Sequence, residues 1–249
     1  MFKISFKQLF KSTLLVSALA IPSTALATKV VFDTSEGSIE VNLFDNGTPK
    51  TVENFLSYVN DGSYNDTIIH RSVPGFITQG GGFSFEGSLN LNKLPTKPSV
   101  INEPIYSNRR GTIAMAKLSG QPNSATNQWF FNLDNNQANL DVQNSGFTVF
   151  GQVIEGMDIV DNIASISLCN SVPMPNYNCG SGDVPGVENF VTIYSITISD
   201  TSINTISALN PIVEPIIIDK VTPKNSGGST SLFTLFTLSL LILNRRRLN

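Results

Sequence analysis

Alternation with a period of two runs through this chain. Ser38-Ile39-Glu40-Val41-Asn42-Leu43 alternates polar with apolar side chains, and Val191-Thr192-Ile193-Tyr194-Ser195-Ile196-Thr197-Ile198 follows a similar period-two pattern. Successive side chains of a β-strand point to opposite faces, so such a stretch buries one face and wets the other, which a helix of 3.6-residue period cannot do. Shorter strand signals lie at residues 29–33, 67–73, 76–79, 112–116, 129–132 and 148–153, with glycines and asparagines separating many of them. Two segments have helical character. Thr48 is placed to cap, Pro49 suits a first turn, and Val52, Phe55, Leu56 and Val59 share a face before Gly62. In residues 157–164, Met157, Val160 and Ala164 fall on one side. Many short strands with two helices predict an antiparallel β-barrel with helical plugs.

The two ends differ from this pattern. Residues 1–27 read as a secretory signal peptide: Lys3, Lys7 and Lys11, then an apolar run at residues 12–21, then Ala25-Leu26-Ala27 as a small-x-small cleavage site. An uncleaved anchor is the alternative, although the run is shorter than the ~20 residues of a spanning helix. Residues 201–226 contain Pro211, Pro215 and Pro223 and read as a linker or stalk, with Ile216-Ile217-Ile218 open to a role as an edge strand. Residues 227–249 join Gly227-Gly228 to an apolar stretch and Arg245-Arg246-Arg247, the pattern of a membrane segment with a positive cytoplasmic stop. Residues 28–200 remain as one domain. The ends hold six of the 16 basic residues and none of the 19 acidic ones, which leaves the remainder near −9. A surface of that sign repels phosphate backbones and argues against nucleic-acid binding.

Cys169 and Cys179 are the two cysteines, ten apart in a Pro/Asn/Gly-rich stretch. In an exported chain such a pair reads as a loop disulfide. Two thiols with the lone His70 far away supply too few ligands for a metal, and no metal or other cofactor is expected.

The densest run of chemistry is Ile69-His70-Arg71-Ser72-Val73-Pro74-Gly75-Phe76-Ile77-Thr78-Gln79-Gly80-Gly81: a strand, a Pro-Gly turn and a returning strand. Alternation alone puts Arg71 and Val73 on one face and Phe76 and Thr78 on another. Phe76 and Gln79 are therefore expected to need a twist or bulge to address the same cavity as Arg71. This stretch resembles the first signature of the cyclophilins. Gly111-Thr112-Ile113-Ala114-Met115-Ala116 with Asn127-Gln128-Trp129-Phe130 resembles their second block. Phe147-Thr148-Val149-Phe150-Gly151 followed by Gly156-Met157 resembles their third. The resemblance spans residues 29–199 in the family's order. It implies a mainly β fold, a closed antiparallel eight-stranded barrel with two capping helices, and peptidyl-prolyl cis-trans isomerase activity.

That activity suits the residue types present. Rotation about an X-Pro bond faces a barrier of about 18–20 kcal/mol from partial C–N double bonding. No nucleophile is needed. A fixed donor aimed at the proline nitrogen, which regains a lone pair in the twisted amide, stabilises the twisted state more than either planar one. By the resemblance Arg71 takes this role, with Phe76 and Gln79 beside it as catalytic residues. Phe76, Phe130 and Leu140 would form the proline pocket, with Ile77 where the family often has Met. Gln79 would bond the substrate and brace Arg71, and the backbone at Ala116 and Lys117 would pair with an extended substrate. His70, next to Arg71 on a strand, points to the opposite face and reads as structural.

Two positions depart from the pattern of many eukaryotic members, which carry Trp before the pocket Leu and His before the Thr/Val-Val-Phe-Gly strand. Here they are Asn139 and Phe147. Phe147 still makes a wall, whereas the rim that contacts cyclosporin is altered. The expected partners are proline-containing unfolded or extended polypeptides, met as a monomer by an exported enzyme in the periplasm or at the cell surface. The alternative is a surface-displayed proline-peptide binding module or holdase; intact Arg71, Phe76, Gln79 and Phe130 favour the enzyme. The tail also resembles bacterial Gly-Gly C-terminal sorting signals, which implies cleavage near Gly227-Gly228 after a transient stay in the membrane. Residues 229–244 make about 24 Å of helix against a bilayer core of about 30 Å. A retained inner-membrane anchor is the competing reading.

Overall fold

The computed structural model describes residues 28–87 and 91–200. The proposed leader (1–27), stalk (201–226) and tail (227–249) lie outside the described residues. In chain order the elements are β1 (Lys29–Thr34), β2 (Gly37–Leu43), α1 (Pro49–Asn60), β3 (Thr67–Ile68), β4 (Arg71–Val73), β5 (Ile77–Gly80), β6 (Phe83–Ser84) and β7 (Asn92–Lys93). They continue with β8 (Thr112–Met115), β9 (Trp129–Asn132), α2 (Gln137–Leu140), β10 (Val149–Glu155), α3 (Met157–Ser165), β11 (Leu168–Cys169), β12 (Val172–Pro173) and β13 (Thr192–Asp200).

Eleven of these strands form one antiparallel sheet in the order β4-β5-β9-β8-β10-β2-β1-β13-β3-β6-β7; β11 and β12 make a separate hairpin. The sheet is curled. Strands β9 and β13 stand five places apart, which in a flat sheet is about 24 Å at about 4.8 Å per strand. Yet Trp129 of β9 and Ile193 of β13 belong to one buried cluster with Val30, Phe32, Ile39, Val41, Ile113 and Phe150. Phe32 is central to it, with ring centroids 5.0 Å from Trp129 and 5.4 Å from Phe131. The two longer helices cover this core, α1 through Val52, Phe55, Tyr58 and Val59 and α3 through Val160 and Ile163.

Three details differ from the sequence expectations. The single strand expected at residues 67–73 is divided into β3 and β4, because its backbone changes partners midway. The Ile69 N–H donates to Val191 (2.9 Å) and the His70 N–H to Gln79 (3.1 Å), so consecutive residues serve distant positions in the sheet order. The short strands β6 and β7 and the single-turn α2 were not expected. Thr48 does precede α1, but its side chain does not cap the helix. Instead the Glu103 carboxylate accepts from the Thr51 N–H (2.9 Å) and hydroxyl (2.7 Å) and from the Lys50 N–H (3.4 Å). It places a negative charge at the positive end of the helix.

The expected disulfide joins Cys169 to Cys179. It closes a loop whose hairpin tip lies along the edge of β4, where the Ser72 N–H donates to the Ser171 carbonyl at 2.7 Å. An otherwise open strand edge is thereby paired. Because the closed loop is short, reduction is expected to cost roughly 2–3 kcal/mol at most. Hydrogen exchange should then speed up at Ser72 and around residues 168–180, while amides of β1 and β2 stay protected. Loss of protection across the whole sheet on reduction would show that the bridge holds more than this loop.

Candidate functional site

Antiparallel pairing puts directly opposed residues on the same face of a sheet. Across four pairs of strands the partners run Arg71–Gln79, Gln79–Phe130, Phe130–Ala114 and Ala114–Val149. These five side chains form a row on one face. The neighbouring row, Ser72, Thr78, Phe131 and Ile113, is buried on the other face. Gln79 therefore reaches the face of Arg71 by simple register, with no bulge. Phe76 is freed from alternation altogether, since it lies in the turn before β5, where its N–H donates to the Val73 carbonyl at 3.0 Å. Gly75 takes a φ of +70° at this turn, a conformation that suits glycine.

Around this row lies a second apolar cluster. Ile77, Ala114, Phe130, Leu140, Val149 and Phe44 are buried, and Phe76, Ala116, Phe147 and Tyr106 pack against them. Phe130 and Phe147 meet edge to face at 5.9 Å. Phe76, Ile77, Ala116, Phe130, Leu140 and Phe147, drawn from five separate stretches of sequence, are thus brought together. Asn139 is exposed on α2 next to the buried Leu140. Lys117 is half-buried beside Phe147, its Nζ 4.8 Å from the ring centroid. Cys169 and Cys179 belong to a different region, with Cys169 in a cluster around Ile68, Met174 and Phe190. A groove of about 410 Å³ along α1, lined by Asp45, Val52, Glu53 and Leu56 among others, shares no residue with the apolar cluster.

Arg71 is half-buried, and burial pulls its guanidinium below its usual value. Its Nη1 donates to Gln79 Oε1 at 3.2 Å, and Gln79 Nε2 donates onward to Gln128 Oε1 at 2.8 Å. With its oxygen committed to Arg71 and its nitrogen to Gln128, the Gln79 amide has one orientation. Gln128 was not among the expected site residues. Its signal was present, since Gln128 and Phe130 are two apart and share a strand face.

Also missed was a set of buried amides behind the cluster. Asn136 Nδ2 donates to the Phe76 carbonyl and to Asn132 Oδ1, both at 2.8 Å. Asn132 Nδ2 donates to Asn108 Oδ1 (3.2 Å) and Thr112 Oγ1 (2.9 Å). Asn108 Nδ2 donates to Asp141 Oδ1 (2.9 Å) and the Phe147 carbonyl (3.0 Å). This network fixes the backbones of Phe76 and Phe147 relative to each other. The visible clue was Asn132 at the end of the apolar run Trp129-Phe130-Phe131, since a buried amide must find partners.

His70 packs on the Phe83 ring at 4.7 Å, and burial lowers its pKa to about 4. The imidazole is neutral near pH 7 and too weak a base for proton transfer there. Its folded pKa lies below the ordinary imidazole value of 6.5, so the unfolded chain binds the proton more tightly. Stability is therefore expected to fall as pH drops from about 6.5 to about 4. A His70→Gln variant should show a flatter melting temperature over that range; an identical slope in both proteins would remove His70 as the cause.

Residues 29–180 match the family described as cyclophilin type peptidyl-prolyl cis-trans isomerase/CLD. A peptidyl-prolyl cis-trans isomerase of Acinetobacter baylyi is 44% identical over 154 residues, covering 61% of this chain and 78% of that protein. Isomerase A of Dickeya dadantii is 41% identical over 68% of this chain and 90% of its own length. Isomerase B of Escherichia coli is 39% identical over 69% of this chain and 99% of its own. Among solved structures, a cyclophilin type isomerase of Cryptosporidium parvum, determined in the presence of the dipeptide Ala-Pro, superposes with a TM-score of 0.53 at 24% identity, over 70% of this chain and 99% of that one. With its curled antiparallel sheet and a family match over more than half its length, this chain belongs to the cyclophilin type peptidyl-prolyl cis-trans isomerases.

Proposed function

We propose that this protein accelerates X-Pro bond rotation in exported polypeptides, with Arg71 stabilising the twisted amide. The carrying observation is the partly buried Arg71 guanidinium, held by Gln79 one strand away from Phe130 in an apolar recess. A proline ring seated against Phe76, Phe130, Leu140 and Phe147 would bring its nitrogen toward that cation. A donor of fixed position costs no reorganisation when the nitrogen lone pair forms, so it favours the twisted state over both planar ones. Arg stays charged despite partial burial and presents planar donors. The presence of Ala-Pro with the Cryptosporidium relative supports a proline-bearing ligand.

In this reading the change of partner at Ile69 and His70 closes the curled sheet into the family's eight-stranded barrel. The Cys169–Cys179 bridge supports an oxidising, extracytoplasmic setting. Export by residues 1–27, a monomeric domain, and a tail that touches the membrane before cleavage at Gly227-Gly228 complete the proposal. They rest on the sequence, since those ends lie outside the described residues.

The direct test is a tetrapeptide isomerisation assay with wild type and Arg71→Ala. Losing a donor made chiefly to the transition state is expected to lower kcat/KM on the order of 100-fold or more, with an unchanged melting temperature. A folded, active Arg71→Ala protein would sink the mechanism. A wild type that binds the peptide without accelerating rotation would favour the binding-module alternative.

Inhibition by cyclosporin is expected to be weak, because Asn139 lacks the indole donor of Trp-bearing relatives. An acceptor left unpaired should cost about 1–3 kcal/mol of binding. Titration of wild type and Asn139→Trp checks this: the variant should bind more tightly, and equal affinities would count against the assignment.

A further inference from the structure

We propose that Lys117 is a positioning residue whose ammonium group holds the turn at residues 144–146 and, through it, sets Phe147 as the outer wall of the proline recess. The proposal rests on the reading of that recess given above, and it adds a role for a side chain outside the Arg71–Gln79 pair.

Leu140 and Phe147 both line the recess, and the Phe147 N–H donates to the Leu140 carbonyl at 2.8 Å. The chain between them leaves the wall and returns to it. Its last three residues, Asn144, Ser145 and Gly146, have φ values of +51°, +62° and +74°. Glycine adopts a positive φ freely and asparagine tolerates it, but for Ser145 it carries a cost, which bonds from outside the turn can offset.

Lys117 supplies two such bonds. Its Nζ donates to the Asn144 carbonyl at 2.9 Å and to the Gly146 carbonyl at 2.5 Å. Asn102 Nδ2 donates to the carbonyls of Ser145 (2.8 Å) and Gly146 (2.9 Å), and Asn144 Nδ2 returns to the Leu118 carbonyl at 2.9 Å. The same ammonium lies 4.8 Å from the Phe147 ring centroid, and that ring meets Phe130 edge to face. One cation therefore touches both the turn and the ring that follows it. Its partners are carbonyl dipoles and a ring face, and burial lowers its pKa to about 8.

This arrangement separates two tasks. Arg71 and Gln79 lie on β4 and β5, while Lys117 follows β8 and acts on the strand-free segment before β10. Loosening Phe147 should weaken the hold on the proline ring in ground state and transition state alike, which raises KM and leaves kcat in place.

The test uses the full-length protein and a proline tetrapeptide, with Kd measured by titration alongside kcat and KM. Lys117→Met keeps the aliphatic stem and removes the donors; it is expected to raise Kd and KM about 3- to 10-fold with kcat within about twofold. Lys117→Arg restores the donors and should recover most of the loss, and Lys117→Gln provides a second neutral replacement. In a Phe147→Ala background, Lys117→Met should add little, since the two residues act as a unit. Unchanged Kd in Lys117→Met, a fall in kcat alone, or full additivity with Phe147→Ala would each overturn the proposal. A wild type without isomerase activity would overturn the proposed function instead, and the Kd series would still decide the role of Lys117.

Discussion

The site depends on the register between β4 and β5. The turn at residues 74–76 pairs Val73 with Ile77, Ser72 with Thr78 and Arg71 with Gln79. Because side chains alternate, a slip of one residue would send Arg71 or Gln79 to the opposite face and bring a buried neighbour outward. Register is held on both sides. Ser72 and Thr78 share a buried contact at 3.3 Å beneath the site, and the Ser72 N–H is taken by Ser171 from the disulfide-closed hairpin. On the far side of β5, Gly80 sits opposite Trp129, whose ring would lie 2.8 Å from a Cβ at that position. The glycine lets the indole fill the core directly beneath the strand that carries Gln79.

The recess has a different kind of support. Aromatic and aliphatic walls alone can pack in several ways, since apolar contact carries little direction. Here directional bonds from Asn136, Asn132 and Asn108 tie the backbone of Phe76 to that of Phe147 through groups removed from water. An unmet amide in such surroundings is costly, so the network accepts few alternative arrangements. Lys117 extends the same logic to the outer edge, where it donates to the carbonyls of Asn144 and Gly146. Rigid walls suit a reaction that requires a fixed electrostatic environment and no proton transfer, and the neutral, buried His70 agrees with that division.

Local patterns made much of this legible in the sequence. Period-two alternation marks β2 and β13, a shorter strand signal marks β1, and the spacing of Val52, Phe55 and Val59 marks the buried face of α1. Phe76, Ile77, Phe130, Leu140 and Phe147, among the apolar residues gathered in the recess, follow from the resemblance. Other features could not be read this way. Phe76 reads as part of a strand, because a turn residue and a strand residue look alike in composition. Thr48 reads locally as a cap, whereas Glu103 performs that role on Thr51, 52 residues away. Gln128 and Asn136 do not stand out, because a polar residue in sequence does not disclose whether it faces water or a buried partner.

By itself the sequence determined the strand-rich class, the position of the main helices, the family and several of the side chains gathered in the recess, since these follow from periodicity and from motifs short enough to read locally. Tertiary structure decided what those side chains do to one another. The Arg71–Gln79–Gln128 chain, the change of partners at Ile69 and His70, the amides behind Phe76 and the grip of Lys117 on residues 144–146 all join segments distant in sequence. Their partners are selected by sheet register and curl, and those emerge only when the whole apolar face is buried at once.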